Sequence, residues 1–320
     1  MKIVVLDGHT LNPGDMSWDA MRQLGELVVY DRTPAEKIIE RIDNAEIVLT
    51  NKVMLSKEIL DKTPSVKYIG IMATGCNVVD IEYAKELGII VTNVPAYSTD
   101  SVAQMVFAFI MEFCNHVGEH NRAVHEGKWT NSPDFSFWYY PLIEIKNKTI
   151  GIIGFGAIGQ KVAQIAEIFG MQVLFHSRTI KPGLETDNIK YATLEKVLAE
   201  SDFITLNCPL TEQTKGLINK DTISKMKDGA ILINTSRGLI IDENDVAQAL
   251  NTGKLAGLGT DVASVEPIQA ENPLLHAKNC IITPHFAWAT KEARERLMDT
   301  LIKNISSYIK GTPVNVVNNH

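Results

Sequence analysis

Residues 149–159 read Thr-Ile-Gly-Ile-Ile-Gly-Phe-Gly-Ala-Ile-Gly, an apolar β-branched run that closes on a G-x-G-x-x-G spacing and is followed by a helical pattern. Strand, tight turn and helix in that order open a βαβ unit. Each glycine has a separate reason to be there. Gly154 permits the tight turn, Gly156 lets an anion approach bare backbone, and Gly159 lets helix and strand pack closely. The helix start at Ala157 and Ile158 offers unpaired N–H groups and the positive end of a dipole, which favours a pyrophosphate. Taken alone the spacing is an ordinary βα turn. A further strand in the right place after the helix makes it a dinucleotide site.

That further strand ends in Leu-Phe-His-Ser-Arg-Thr, residues 174–179, where an Asp or Glu would normally hold a ribose. Such an acid would accept from the ribose hydroxyls and repel a 2′-phosphate. Ser177 removes the repulsion and Arg178 offers a guanidinium fork, so NADP(H) is the favoured cofactor. NAD(H) is the alternative, if Arg178 is only a solvated loop residue.

The remaining composition sets the frame. With 320 residues, 45% of them hydrophobic and 22% charged, the chain has the make-up of a soluble globular protein with room for two domains. A formal charge of -7 without a dense basic run argues against nucleic acid or an anionic membrane as a partner. The four cysteines, Cys76, Cys114, Cys208 and Cys280, are far apart and form no disulfide framework. The first apolar run stops at Asp7, too short for a signal-peptide core, and Met105–Phe113 is interrupted by Glu112. A cytoplasmic location is expected.

Around the glycine turn, short β-branched runs alternate with helical patterns. Ile3–Leu6, Leu27–Tyr30, Ile47–Leu49, Tyr68–Ile71 and Ile89–Thr92 read as strands, with amphipathic segments at Pro34–Ile42 and Ser56–Asp61 between them. The texture then changes. Ser98, Thr99 and Asp100 offer N-cap oxygens to a helix with apolar positions Val102, Val106, Phe109, Ile110, Phe113 and Val117. A second series of strands follows at Thr149–Ile153, Gln172–Phe175, Phe203–Leu206, Ala230–Asn234, Gly257–Asp261 and Cys280–Thr283. The last helix, about Lys291–Ile309, carries Ala293, Leu297, Leu301, Ile305 and Ile309 on one stripe, which needs a partner and is expected to find it on the first domain. The predicted fold is α/β, with two Rossmann-like parallel-sheet domains, one flavodoxin-like and one NAD(P)-binding, separated by a cleft. Residues 1–98 and 291–320 are assigned to a substrate-binding domain and 99–290 to the cofactor domain.

Three later stretches carry a specific resemblance: Ile-Asn-Thr-Ser-Arg-Gly from residue 233, Thr-Asp-Val-Ala-Ser-Val-Glu-Pro from residue 260, and Thr-Pro-His from residue 283. With the N-terminal Met-Lys-Ile-Val-Val-Leu-Asp-Gly and the closing Gly-Thr-Pro-Val-Asn-Val-Val-Asn, the whole chain resembles the D-isomer-specific 2-hydroxyacid dehydrogenases, nearest the glycerate dehydrogenase and hydroxypyruvate reductase branch. The resemblance implies a catalytic group of Arg237, Glu266 and His285. It also implies that Thr74 and Gly75 bind a substrate carboxylate through backbone N–H groups, and that Asp261 orients the nicotinamide amide. Cys208, Pro209, Thr214, Thr235, Ser236 and His285 would line the cofactor.

These residue types suit the chemistry. A hydride arriving at a 2-oxo acid builds charge on the carbonyl oxygen, which must be protonated. His285 is the proposed acid, and base in reverse, while Glu266 holds the imidazole and favours its charged form. Arg237 polarises the carboxylate or carbonyl with hydrogen bonds that strengthen as the oxyanion forms. Taken singly, each would read as a loop histidine, a surface cation and a solvated acid.

Ile71 stands where phosphoglycerate dehydrogenases of this family tend to carry an Arg, which favours an unphosphorylated acid such as hydroxypyruvate or glyoxylate. A D-lactate or other 2-oxo acid dehydrogenase is the alternative, and a cofactor-sensing binding protein like the C-terminal-binding co-repressors is a further one. The aromatic loop Phe135, Phe137, Trp138, Tyr139 and Tyr140 reads as packing or interface. By resemblance Trp138 reaches the partner's substrate in a homodimer. His116 and His120 have a helical i, i+4 spacing but no apparent third ligand, so no metal is expected. Cys76 reads as a packing residue, not a nucleophile.

Overall fold

In the computed structural model, which describes residues 1–179 and 182–318, the chain divides into two compact units. The first comprises Met1–Ser98 and Ala289–His320, the second Thr99–Trp288.

The first unit holds a parallel sheet of β1 (Lys2–Val5), β2 (Glu26–Val29), β3 (Ile47–Thr50), β4 (Tyr68–Ile71) and β5 (Ile90–Thr92) in the order β2-β1-β3-β4-β5. β3 and β4 are buried along their whole length, as strands covered on both faces must be. The connections carry the short helices α1 (Asp19–Arg22), α2 (Ile38–Ile42), α3 (Lys57–Asp61) and α4 (Ile81–Glu86). The order reverses between β1 and β3, and there Asp7 accepts the N–H groups of Asn51, Lys52 and Val53, closing that end of the sheet.

The second unit contains α5 (Thr99–Asn115), α6 (Val117–His125), β6 (Thr149–Ile153), α7 (Ala157–Ile168), β7 (Gln172–His176), β8 (Ile189–Tyr191), α8 (Leu194–Glu200), β9 (Phe203–Leu206), α9 (Lys220–Ser224), β10 (Ala230–Asn234), α10 (Glu243–Thr252), β11 (Leu255–Thr260) and β12 (Cys280–Ile282). Its parallel sheet runs β12-β11-β10-β9-β6-β7-β8, so the order reverses between β6 and β9, beside the glycine turn. One core lies under α5 and α7, and the other under α8, α9 and α10. Glycines of β11 make room for α5: a Cβ on Gly257 would lie 2.5 Å from the Phe113 ring and one on Gly259 2.6 Å from that of Phe109.

The last helix, α11 (Lys291–Ile309), belongs to the first unit. Ala293, Leu297, Leu301 and Ile305 are buried, and the Tyr308 ring lies 4.7 Å from that of Tyr68 on β4. Arg294 of this helix makes a two-pronged ion pair with Asp15 (2.7 and 2.6 Å) and donates to the Leu11 carbonyl. The apolar stripe stops one turn early, for Ile309 is exposed.

Two local readings are corrected. Val117 does not continue α5: the helix ends at Asn115, His116 turns left-handed (φ 48°), and Val117 opens α6 with 63% of its surface exposed. The edge strand β8, paired with β7 through Val173 and Ile189, is absent from the sequence reading because three residues are too few to show an alternation.

Candidate active site

The glycine turn leaves β6 at the point where the sheet order reverses, the position at which doubly wound sheets bind ligands. Gly154 has a φ of 97°, and a Cβ there would lie 2.5 Å from the main chain of Asn207 and Cys208. A Cβ on Gly159 would lie 2.3 Å from the Gly154 carbonyl oxygen, so helix and strand touch. Around Gly156 there is open space on the side its Cβ would take. α7 starts there without a side-chain cap and without an acid in its first turn, which leaves its N–H groups and dipole for an anion.

Two buried polar atoms have no hydrogen-bond partner among the described residues: Asn207 Oδ1, after β9 and next to Gly154, and Thr235 Oγ1, after β10. Buried polar groups are rarely left unpaired, and those that are call for a ligand or water. The bare Gly156 face, the uncapped helix and these two atoms fit a dinucleotide. Cys208 lies in the same turn with its thiol pushed up by burial. Thr214 donates to the Pro209 carbonyl at 2.7 Å and fixes the following loop. At the end of β7, the Ser177 hydroxyl donates to the Thr179 carbonyl at 2.6 Å, and Arg178 is exposed with no ion pair among the described residues.

Arg237 leaves β10 on a turn that Asn234 brackets from both ends. The Asn234 side chain accepts the Ser236 N–H at 3.1 Å and donates to the Arg237 carbonyl at 3.0 Å. The Ser236 hydroxyl is tied to the Leu206 carbonyl, and the exposed Arg237 guanidinium donates to the Ser236 carbonyl at 2.7 Å.

Asp261, at the end of β11, is buried and accepts three donors from the segment that carries His285: the Thr283 hydroxyl (2.6 Å), the Phe286 N–H (3.0 Å) and the Ala287 N–H (2.8 Å). Burial pushes this carboxyl above its ordinary range, while the Thr283 hydroxyl and the two amides pull it back. His285 stands in the left-handed region (φ 52°), with its N–H on the Thr283 carbonyl and its own carbonyl accepting from the Trp288 indole. Left-handed backbone is uncommon outside glycine and is held here by these bonds. The imidazole Nδ1 lies 2.5 Å from Glu266 Oε2, and Glu266 Oε1 accepts the Ala263 N–H. Nε2 is left without a partner among the described residues.

In the first unit, Thr74 and Gly75 follow β4 at the carboxyl edge of its sheet. The Thr74 hydroxyl donates to the Val94 carbonyl and the Asn93 amide donates to the Thr74 carbonyl, which fixes the turn. The N–H groups of Thr74 and Gly75 donate to no acceptor among the described residues. Cys76 beside them carries a thiol pushed up by burial, as suits a packing residue.

The two-histidine spacing takes another form. His116 is outside the helix, His120 places Nδ1 on the His116 carbonyl (2.9 Å), and its Nε2 accepts the Tyr139 N–H (3.2 Å). Nε2 thus ties the aromatic loop to α6, while Nδ1 is occupied by the turn that opens the helix. On that loop Phe135 is 90% and Trp138 63% exposed.

Asn234, Asn207 and Thr283 were missing from the residues singled out in the sequence. Thr283 acts on Asp261, 22 residues away in the chain, whereas the Asn234 side chain acts on its own turn. Only the position of Asn234 just before Thr-Ser-Arg-Gly, where a short amide can bracket a turn, gave any signal.

A glycine turn at the switch point of one sheet, followed by an imidazole–carboxylate pair and an arginine at the carboxyl ends of its later strands, defines a nicotinamide-dependent dehydrogenase. Residues 107–287 match the family model described as D-isomer specific 2-hydroxyacid dehydrogenase, NAD binding domain. A hydroxypyruvate reductase of Blautia hydrogenotrophica is 53% identical over 321 residues, covering 99% of this chain and 100% of that protein. A glyoxylate reductase of Thermococcus litoralis is 40% identical over 88% of this chain and 85% of its own length. An acyclic imino acid reductase solved in complex with NADPH and D-Arg superimposes with a TM-score of 0.85 at 31% identity, covering 99% of this chain and 100% of that one. The chain belongs to the D-isomer-specific 2-hydroxyacid dehydrogenase family. It is an oxidoreductase that acts on CH–OH groups with a nicotinamide cofactor. Among the described residues no helix is long and apolar enough to cross a membrane, and no three metal-ligating side chains are grouped to hold a metal ion.

Proposed function

We propose that this enzyme reduces a small unphosphorylated 2-oxo acid, hydroxypyruvate or glyoxylate, to the D-2-hydroxy acid, with NADPH favoured over NADH. The observation that carries the reading is the His285–Glu266 pair on the segments after β12 and β11, in the same unit as the glycine turn.

The nicotinamide, when bound, supplies the hydride. The protein supplies the rest. Glu266 occupies Nδ1 of His285, so the proton given to the substrate oxygen sits on Nε2. Glu266 also stabilises the imidazolium that carries this proton. Arg237 binds the acid and meets the charge that grows on its carbonyl oxygen. The unpaired N–H groups of Thr74 and Gly75, in the first unit, are assigned the substrate carboxylate, which makes that unit the substrate domain. Ile71, buried at the end of β4, supplies no cation for a phosphate. Gly154, Gly156, Ala157, Ile158 and Gly159 would hold the pyrophosphate. Ser177 and Arg178 would take the adenosine ribose, and Cys208, Pro209, Thr214, Thr235 and Ser236 would line the cofactor. Asp261 has its oxygens on the His285 segment, yet a carboxylate has about four acceptor sites and keeps room for the nicotinamide amide.

The exposed aromatic loop supports a homodimer in which Trp138 reaches the partner's substrate. Four free cysteines suit a cytoplasmic setting. The test is a panel of hydroxypyruvate, glyoxylate, pyruvate and 3-phosphohydroxypyruvate, each with fixed NADPH and with fixed NADH. Highest kcat/KM on one of the first two with NADPH supports the proposal. Highest kcat/KM on the phosphorylated acid, or on pyruvate with NADH, overturns it.

A further inference from the structure

The segment that carries Glu266 is fastened to the stretch that follows Arg237, and the fastening side chain is Glu243. Two contacts make the joint. A Cβ on Gly238 would lie 2.0 Å from the Ala263 carbonyl carbon, so the two main chains lie directly against each other. Glu243, the first residue of α10, then sends its carboxylate to the same place. Oε1 accepts the Ser264 N–H at 2.8 Å, and Oε2 accepts the Ser264 hydroxyl at 2.6 Å and the Asn272 amide at 2.9 Å.

Glu243 is not needed to start its own helix. Asp242 already caps α10 by accepting the N–H groups of Asn244 and Asp245. Three donors from a segment remote in the chain are instead gathered on one half-buried carboxylate. Ser264 and Glu266 belong to one turn, closed by the Ala263 N–H on Glu266 Oε1, and Glu266 Oε2 meets the imidazole. A shift at Ser264 is therefore a shift of the oxygen that holds His285. A misplacement of about 1 Å at such a group can cost about 10²-fold in rate.

We propose that Glu243 is a positioning residue: it locks the 263–272 segment so that Glu266 faces His285 Nδ1, and it sets the spacing between that pair and Arg237. The inference rests on the reading of Glu266 and His285 as the proton-transfer pair.

The experiment is a double-mutant cycle on the full-length enzyme, with hydroxypyruvate and NADPH as the probes and cofactor affinity followed by nucleotide fluorescence. Glu243→Ala should lower kcat at least tenfold with the cofactor Kd within twofold of wild type. Glu243→Gln, which keeps an acceptor for the Ser264 N–H, should recover most of the loss. In a Glu266→Gln background, Glu243→Ala should cost less than twofold, because the group it positions has gone. A full tenfold penalty in that background overturns the inference alone, as does wild-type turnover by Glu243→Ala when Glu266→Gln is impaired. Normal turnover by Glu266→Gln overturns the acid-pair reading and this inference with it. If Glu243→Ala does not fold, Ser264→Ala and Asn272→Ala take its place in the same cycle, with the same two outcomes.

Discussion

His285 Nδ1 lies 2.5 Å from Glu266 Oε2, on an imidazole whose backbone is held left-handed by the Thr283 carbonyl and the Trp288 indole. Ring and acid are 19 residues apart in sequence and meet only because β11 and β12 are neighbours. A charge-assisted hydrogen bond of this kind contributes about 1.5–3 kcal/mol. Glu266→Gln keeps the shape and removes the charge, so kcat should fall about 10- to 100-fold while the KM for the nicotinamide cofactor hardly moves. Steady-state kinetics with both substrates varied will show whether the loss is in kcat.

Asp261 gives a separate prediction because its oxygens hold the His285 segment rather than the ring. Asp261→Asn keeps one oxygen for the Phe286 N–H and turns the other into a donor that faces the buried Ala287 N–H. An unpaired buried group costs about 1–3 kcal/mol. The variant should unfold at lower urea concentration with an unchanged m-value and should also lose turnover. Unaltered stability would mean that the loop is held by other contacts.

The glycines of the turn separate binding from folding. Gly156 has a φ of -79° and open space for a Cβ, so Gly156→Ala should keep the wild-type thermal midpoint and bind nucleotide more weakly. Gly154 has a φ of 97° and main chain within 2.5 Å, so Gly154→Ala should lower the midpoint itself. Left-handed backbone alone costs an ordinary residue about 1–2 kcal/mol. Thermal melts beside fluorescence titrations of nucleotide distinguish the two outcomes.

Arg178 should govern cofactor choice. If its guanidinium meets a 2′-phosphate, Arg178→Ala should reduce kcat/KM for NADPH about 10- to 100-fold and leave NADH almost untouched. Equal losses with both cofactors, or none, would remove the argument. The ratio of the two efficiencies is the quantity to measure.

How far the sequence could be read follows from the range of each interaction. The glycine turn was legible because a strand, a bend and a helix start are local demands on local residues. Most strands of both sheets were legible for the same reason, from β-branched runs long enough to show a pattern. β8 was not, since three residues carry no periodicity, and neither was the end of α5, where one left-handed His116 outweighs the apolar spacing that pointed to Val117. At the site, Arg237, Glu266 and His285 stood out through their motifs. The contacts of Asp261 with the Thr283–Ala287 segment, and the unpaired oxygens of Asn207 and Thr235, depend on strands brought together by folding and leave no mark on neighbouring residues.

The central claim is that His285 gives its proton to the reduced acid. The most direct test is turnover of hydroxypyruvate by His285→Ala that still binds nucleotide and melts as the wild type does. A general acid contributes about 10²- to 10⁴-fold, and a fall of that size in kcat is the expected result. Turnover within a few-fold of wild type in such a folded, nucleotide-binding variant would contradict it.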